Sequence, residues 1–223
     1  MRYCVVNGSP RGKSGNTAIL LESLVEGIES TGTVEIVWFH LNDVRDRESA
    51  PKAFRTADVV VLGFPLYTDS MPGLTKAFIE SLAPFEGLED NPRLAFLVQS
   101  GFPEAQHSRF VERYLQKLAQ RLNAPYAGTV IKGGCEGVRL RPQEMNQALF
   151  KQLCELGVDL AQGGKFDQAR LENLAKPEHY PRFLATLFQL VLLLPVTQAY
   201  WINQLKKNGA YDARNARPFV SEN

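Results

Sequence analysis

The 223-residue sequence is poor in the residue types that build metal and covalent sites, with only three cysteines and three histidines. Cys4, Cys135 and Cys154 lie far apart with no C-x-x-C pair, which excludes a zinc knuckle and a cluster-ligand run. His40, His107 and His179 show no ligand-like spacing, so no metal site is expected. Sparse cysteine points to a reducing compartment. An excess of one charge is missing too: 25 basic and 24 acidic side chains leave a net +1. No long-range field recruits nucleic acid or anionic lipid, and no nucleic-acid partner is expected. The first eight residues hold an apolar run too short for a signal-peptide core, so a cytoplasmic location is expected. Repeats and low-complexity tracts are absent. What remains is 44% hydrophobic and 22% charged positions, the composition of a folded domain and not of a disordered chain. A chain of this length buries roughly 70% of its unfolded surface, enough for one sizeable core but not for two full-sized domains.

Short apolar runs alternate with longer stretches of helical period, the order that makes a parallel sheet with crossover helices. The runs fall at residues 3–6, 34–39, 58–64, 94–98 and 126–131. The third, with Val59, Val60, Val61 and Leu62, is apolar on both faces, as a central parallel strand must be. A helix begins near Asn16 with Leu20, Leu21, Leu24, Val25 and Ile28 on one face and Gly32 as its C-cap. The stretch 42–57 carries no assigned element. Pro72 opens a helix with Leu74, Ala77, Phe78 and Leu82. A further helix carries Phe110, Val111, Tyr114, Leu115, Leu118 and Leu122, and the last runs over 142–163 through Met145, Leu149, Leu153, Leu156 and Leu160. The fold class is therefore α/β, with a first domain over 1–164 and a helical C-terminal extension over 165–223 that packs on it or on a partner subunit.

After the first run comes Gly8-Ser9-Pro10-Arg11-Gly12-Lys13-Ser14-Gly15-Asn16-Thr17, a loop that can aim N–H groups and hydroxyls at a phosphate where a helix begins. It is not the dinucleotide fingerprint, because the third position counted from Gly8 is Pro10. It is not a P-loop either: Gly12-Lys13-Ser14 fits the end, but the first required glycine falls on Asn7, and the 58–64 strand ends without an acid for magnesium.

Residue by residue, the chain resembles the flavodoxin-like family of NAD(P)H-dependent FMN reductases and quinone reductases. The resemblance rests on Gly8-Ser9-Pro10-Arg11 with Gly15-Asn16-Thr17, and on Pro65-Leu66-Tyr67-Thr68-Asp69-Ser70-Met71-Pro72-Gly73-Leu74-Thr75-Lys76-Ala77-Phe78-Ile79-Glu80. It implies a three-layer, doubly wound, five-stranded parallel sheet of order 2-1-3-4-5, whose crevice opens where the crossover direction reverses. It further implies bound FMN, with FAD left open because a longer C-terminal segment can cover an adenosine, and NAD(P)H as co-substrate. The phosphate falls to Ser9, Ser14, Gly15, Asn16 and Thr17, with Arg11 offering a bidentate charge. The ring falls to Pro65, Leu66, Tyr67, Thr68, Asp69 and Met71, and Ser100, Gly101, Phe102 and Glu104 close its pyrimidine side. Hydride chemistry belongs to the cofactor, so no catalytic side chain is assigned. The expected partner is a small electron acceptor such as a quinone, azo compound or free flavin. The rival is a flavodoxin-like electron carrier without NAD(P)H activity; the +1 charge and the extension argue against it.

Several residues read as structural. Phe78 suits the core, Asp69 and Glu104 suit turn capping as well as ring contact, and Cys135 lacks the basic partner of a reactive thiol. His107 reads as a surface residue. Residues 183–201 are the most apolar stretch, but Gln189, Pro195 and Gln198 disfavour a membrane span. Membrane contact is not expected; the stretch is expected to pack on the first domain in a homodimer, near the partner's flavin.

Overall fold

The computed structural model describes residues 1–181, 183, 184, 186 and 195–217. Five strands, β1 (Arg2–Asn7), β2 (Glu35–His40), β3 (Val59–Pro65), β4 (Arg93–Gln99) and β5 (Tyr126–Lys132), form one sheet of order β2-β1-β3-β4-β5. All four pairings are parallel. The alternation of strand and helix is the one expected from the apolar runs, and the strand order is the one the family resemblance implies.

Side chains alternate across each strand, so β1 and β3 feed two cores at once. Tyr3, Val5, Val59 and Val61 face α1 (Asn16–Glu29) and α5 (Gln147–Gly163), packing against Leu24, Ile28, Leu156 and Leu160. Cys4, Val6, Val60 and Leu62 face the opposite layer, formed by α2 (Val44–Phe54), α3 (Gly73–Ser81) and α4 (Gln106–Arg121), with Phe54, Phe78, Ile79 and Leu115 among the buried partners. A sixth helix, α6 (Gln168–Ala175), adds Leu171 and Leu174 to the first core beside Phe166.

The boundaries depart from expectation in places. The unassigned stretch holds α2, capped by Asp43 accepting from Arg45 N–H at 2.8 Å. Only Ala50 and Phe54 of its residues are buried, and Pro51 lies inside it, so it carries almost no apolar period. Ser30, not Gly32, caps α1. Pro72 is the N-cap of α3 and not its first turn. A 3-10 turn, Gln143–Asn146, replaces the expected first turn of the last helix. Phe110 and Tyr114 are exposed although they follow the helical pattern of α4.

The chain divides into two compact units, Met1–His179 and Tyr180–Asn223. Phe166 and α6, read from sequence as part of the extension, thus belong to the first unit. The second contains α7 (Pro195–Lys207) and a Tyr211 ring faced by Lys206 Nζ at 5.1 Å and Arg214 at 4.0 Å. Much of the apolar stretch 183–201 lies outside the described residues. Among those described, no helix is long and apolar enough to cross a membrane.

Helices α1 and α5 touch backbone to backbone. A Cβ on Gly27 would sit 1.9 Å from the Cys154 carbonyl oxygen, and one on Gly157 would sit 2.0 Å from that of Leu24. Alanine gains about 1 kcal/mol over glycine in a helix, but here the two helices must part to admit it. Gly27→Ala is expected to lower the unfolding free energy by about 2 kcal/mol in urea titration; a stabilised variant would show that the contact is loose.

Candidate functional site

The loop leaving β1 is shaped by Asn7, which is fully buried. Its Oδ1 accepts from Ser9 N–H at 3.0 Å, and its Nδ2 donates to the Gly12 carbonyl at 3.1 Å. Ser9 Oγ accepts from Arg11 N–H at 3.3 Å, and Ser14 Oγ donates to the Arg11 carbonyl at 2.8 Å. Gly12, at φ +53°, allows the left-handed turn. Gly15 then caps α1 without a side-chain bond, and no acid occupies the first turn. The positive end of this helix therefore has no capping side chain and no carboxylate on it, which is the local chemistry of an anion site.

The side-chain amide of Asn16, which lines the same crevice, is paired within the protein. Its Nδ2 donates to the Cys135 carbonyl at 2.7 Å and its Oδ1 accepts from Arg139 N–H at 3.3 Å. Both ends of the amide brace the loop after β5. The Arg139 guanidinium also donates to the Ser14 carbonyl, so it joins Arg11 as a second guanidinium on this loop. Thr17 Oγ1 accepts from the buried Gln99 Nε2 at 3.2 Å, leaving its proton free to donate.

Beyond β3, Pro65 and Leu66 are buried and Leu66 N–H donates to the Gln99 carbonyl at 2.7 Å. Tyr67 and Ser70 exchange backbone hydrogen bonds at 2.8 and 3.2 Å across a tight turn with Thr68 at φ +49° and Asp69 at φ +61°. Left-handed backbone at a β-branched residue stores strain. Tyr67 projects with 46% of its surface exposed, and Phe102 on the β4 loop with 50%. That loop is tied to the β5 exit: Cys135 N–H donates to the Ser100 carbonyl at 2.9 Å and Gly134 N–H to that of Phe102 at 3.0 Å.

His107 is no free surface residue. Its Nδ1 lies 3.4 Å from Asp69 Oδ1 and its Nε2 3.7 Å from Glu104 Oε2, and its ring stacks on Phe102 at 4.7 Å. It joins the β3 and β4 loops. Cys135 is buried, which pushes its thiol up to about 12, and its Sγ donates to the Lys132 carbonyl at 3.4 Å; the geometry gives it a packing role.

One crevice brings these loops together: Ser9, Arg11 and Asn16 from the first, Pro65, Leu66 and Tyr67 from the second, Ser100 and Gly101 from the third, with Gln99 and Glu136. Ser14, Gly15, Thr17, Thr68, Asp69, Met71, Phe102 and Glu104 stand outside this lining. Sequence reading passed over Asn7, Gln99, Glu136 and Arg139; the acid in Gly133-Gly134-Cys135-Glu136-Gly137 at a strand exit was the one signal available. A larger groove of about 600 Å³ runs between α3 and α4. Its polar lining is exposed charged side chains and Tyr114, with no buried polar group aimed into it, so size does not mark the site here. Among the described residues no cluster fit for a metal ion occurs.

A doubly wound α/β sheet with its crevice at the switch point defines the class. The chain belongs to the flavodoxin-like family: the pattern described as flavodoxin-like fold matches residues 1–156. No curated protein matches the chain. Among solved structures, it is similar to an FMN-dependent NADH-azoreductase from Bacillus anthracis in complex with FMN, with a TM-score of 0.57 and 16% identity, covering 73% of this chain and 100% of that one. An apo NADH:FMN oxidoreductase gives a TM-score of 0.58 and 18% identity over 79% of this chain and 96% of that one. An NAD(P)H:quinone oxidoreductase from Methanothermobacter marburgensis gives 0.56 and 13% over 72% and 96%. At these identities the likeness is one of fold.

Because Thr68 sits in left-handed backbone without a helix or core to demand it, Thr68→Gly is expected to stabilise the protein by about 1 kcal/mol in thermal or urea unfolding. A loss of stability would mean that the Thr68 side chain holds the turn.

Proposed function

We propose that this chain is a flavin-dependent oxidoreductase that binds FMN in the crevice and, with NAD(P)H as co-substrate, reduces a small acceptor such as a quinone, azo compound or free flavin. The observation that carries the reading is the convergence of an uncapped helix start, with Arg11 beside it, and two aromatic-bearing loops at the switch point of the sheet. The residues fit the group: a polar corner with Arg11 for a phosphate, and buried Pro65 and Leu66 beside Tyr67 as a wall for a flat ring.

Ser9, Ser14 and Thr17, with the first amides of α1, would hold the phosphate, and Arg11 would neutralise it. Asn16 would act on the phosphate through the loop it braces. Pro65 and Leu66 would wall the ring and Tyr67 and Phe102 would flank it, while Asp69, His107 and Glu104 keep those two loops in register. FMN, when bound, would supply the hydride-transfer chemistry between NAD(P)H and the acceptor. The protein's part is to orient both and to keep water from the reacting face. We propose further that it works in the cytoplasm, as its sparse cysteine suggests, and as a homodimer built on the apolar stretch 183–201.

Replacing Ser9 and Thr17 together with alanine is expected to weaken FMN binding by about 2 to 4 kcal/mol, read by quenching of flavin fluorescence. Riboflavin, which lacks the phosphate, should bind the variant as it binds the wild type; an unchanged FMN affinity reduces the loop to a turn. In anaerobic stopped flow, NAD(P)H should bleach the bound flavin and a quinone restore its colour. Reduction by dithionite but not by NAD(P)H would instead assign the protein to the electron carriers.

A further inference from the structure

Asn7 has no freedom in how its amide points. Oδ1 must face the Ser9 N–H and Nδ2 must face the Gly12 carbonyl, since exchanging them would set donor against donor and acceptor against acceptor. The other hydrogen on Nδ2 is aimed at His40 Nδ1, 3.2 Å away. That nitrogen must therefore accept, and the neutral ring carries its proton on Nε2. His40 ends β2 directly opposite Asn7 in the sheet register. Its ring lies parallel to that of Trp38, with centroids 6.0 Å apart, and its backbone N–H donates to Asp46 Oδ2 at 2.7 Å.

Resting on the reading of the crevice as a phosphate site, we propose that His40 is a positioning residue for the phosphate loop, holding Asn7 through an unprotonated Nδ1 so that the loop is shaped for a phosphate only while the imidazole is neutral. Protonation would put an N–H on each side of the 3.2 Å contact. Asn7 cannot turn its oxygen to meet the new proton without releasing Ser9 and Gly12, so the contact to His40 breaks and the amide that shapes the loop loses its anchor on β2. The charged groups that face the ring are Lys13 from the loop and Asp43 and Asp46 from the start of α2. Burial, and then Lys13, move the histidine below its ordinary value of 6.5, against the opposing pull of the two aspartates. The proton competes with the Asn7 amide for one nitrogen, so phosphate-dependent affinity is present above this range and is lost as pH falls through it.

The test compares FMN and riboflavin dissociation constants from pH 8 to pH 5 in the wild type, His40→Asn and His40→Leu. Asparagine offers an oxygen near the place of Nδ1 and has no proton to gain there. FMN's own phosphate titrates near pH 6 in every variant, so the His40→Asn profile is the baseline. The expected result is that wild-type FMN affinity falls about tenfold further than that of His40→Asn over this range, while His40→Leu is about tenfold weak throughout. Riboflavin affinity should be alike in all three. Parallel wild-type and His40→Asn profiles, or a His40→Leu variant that binds FMN like the wild type, would overturn the proposal. So would affinity that rises in acid through His40, which would make the imidazolium a direct phosphate ligand.

Failure of the wild type to bind FMN at any pH sinks the crevice reading instead. The coupling is then read without flavin, by nitrogen NMR. Nδ1 should be bare and Nε2 protonated at pH 8, and the Ser9 and Gly12 amide resonances should move with the histidine's own midpoint and stay still in His40→Asn. A protonated Nδ1 or unmoved amides at those two positions would refute it.

Discussion

Parallel pairing of β1 with β3 sets Asn7 opposite Gly63, and the loops that leave these neighbouring strands run to opposite faces of the sheet, one to α1 and the other to α3. The gap between them is kept narrow by absent side chains. Gly8 N–H donates to the Gly63 carbonyl at 2.8 Å, a Cβ on Gly8 would lie 2.2 Å from Thr75 Oγ1, and one on Gly63 would enter the Leu21 side chain at 2.8 Å. Helix α1 can thus start close to the sheet, and its amides stand at the same rim as the β3 loop.

That rim is held by buried amides and hydroxyls. Asn7 ties the first loop to β2, Asn16 ties it to the loop after β5, Gln99 reaches Thr17 across the sheet, and Thr75 donates to the Gly8 carbonyl at 3.1 Å. Buried polar groups are costly unless paired, and here each pairing joins two segments distant in sequence. The loops are organised by folding itself, so a ligand meets a preformed surface and does not bear the ordering entropy.

The sheet was legible because parallel strands buried on both faces have to be continuous apolar runs, as Val59 to Leu62 are. The crevice was legible in its location, since Gly8 to Thr17 and Pro65 to Glu80 leave the two central strands. What stayed hidden has physical causes. Helix α2 contributes only Ala50 and Phe54 to the core, so it has no periodic signal to read. Phe110 and Tyr114 extend the apolar face of α4 beyond what the sheet covers. An asparagine at a helix start reads the same whether its amide faces a ligand or a neighbouring loop, and Asn16 is spoken for by Cys135 and Arg139, more than a hundred positions away. His107 meets Asp69 only because the β3 and β4 loops are brought together in space.

The glycine seat between α1 and α5 fixes more than two helices. Asn16 begins α1, and Gly27 follows eleven positions later, about 16 Å along the axis. A helix of this length behaves as a rigid strut, so the depth at which Gly27 rests on Cys154 dictates how far the amides of Asn16 and Thr17 protrude at the other end. A side chain at either glycine would force these helices apart and so set the first amides of α1 at a different height above the sheet. The two small residues act as a gauge for a crevice that they never touch.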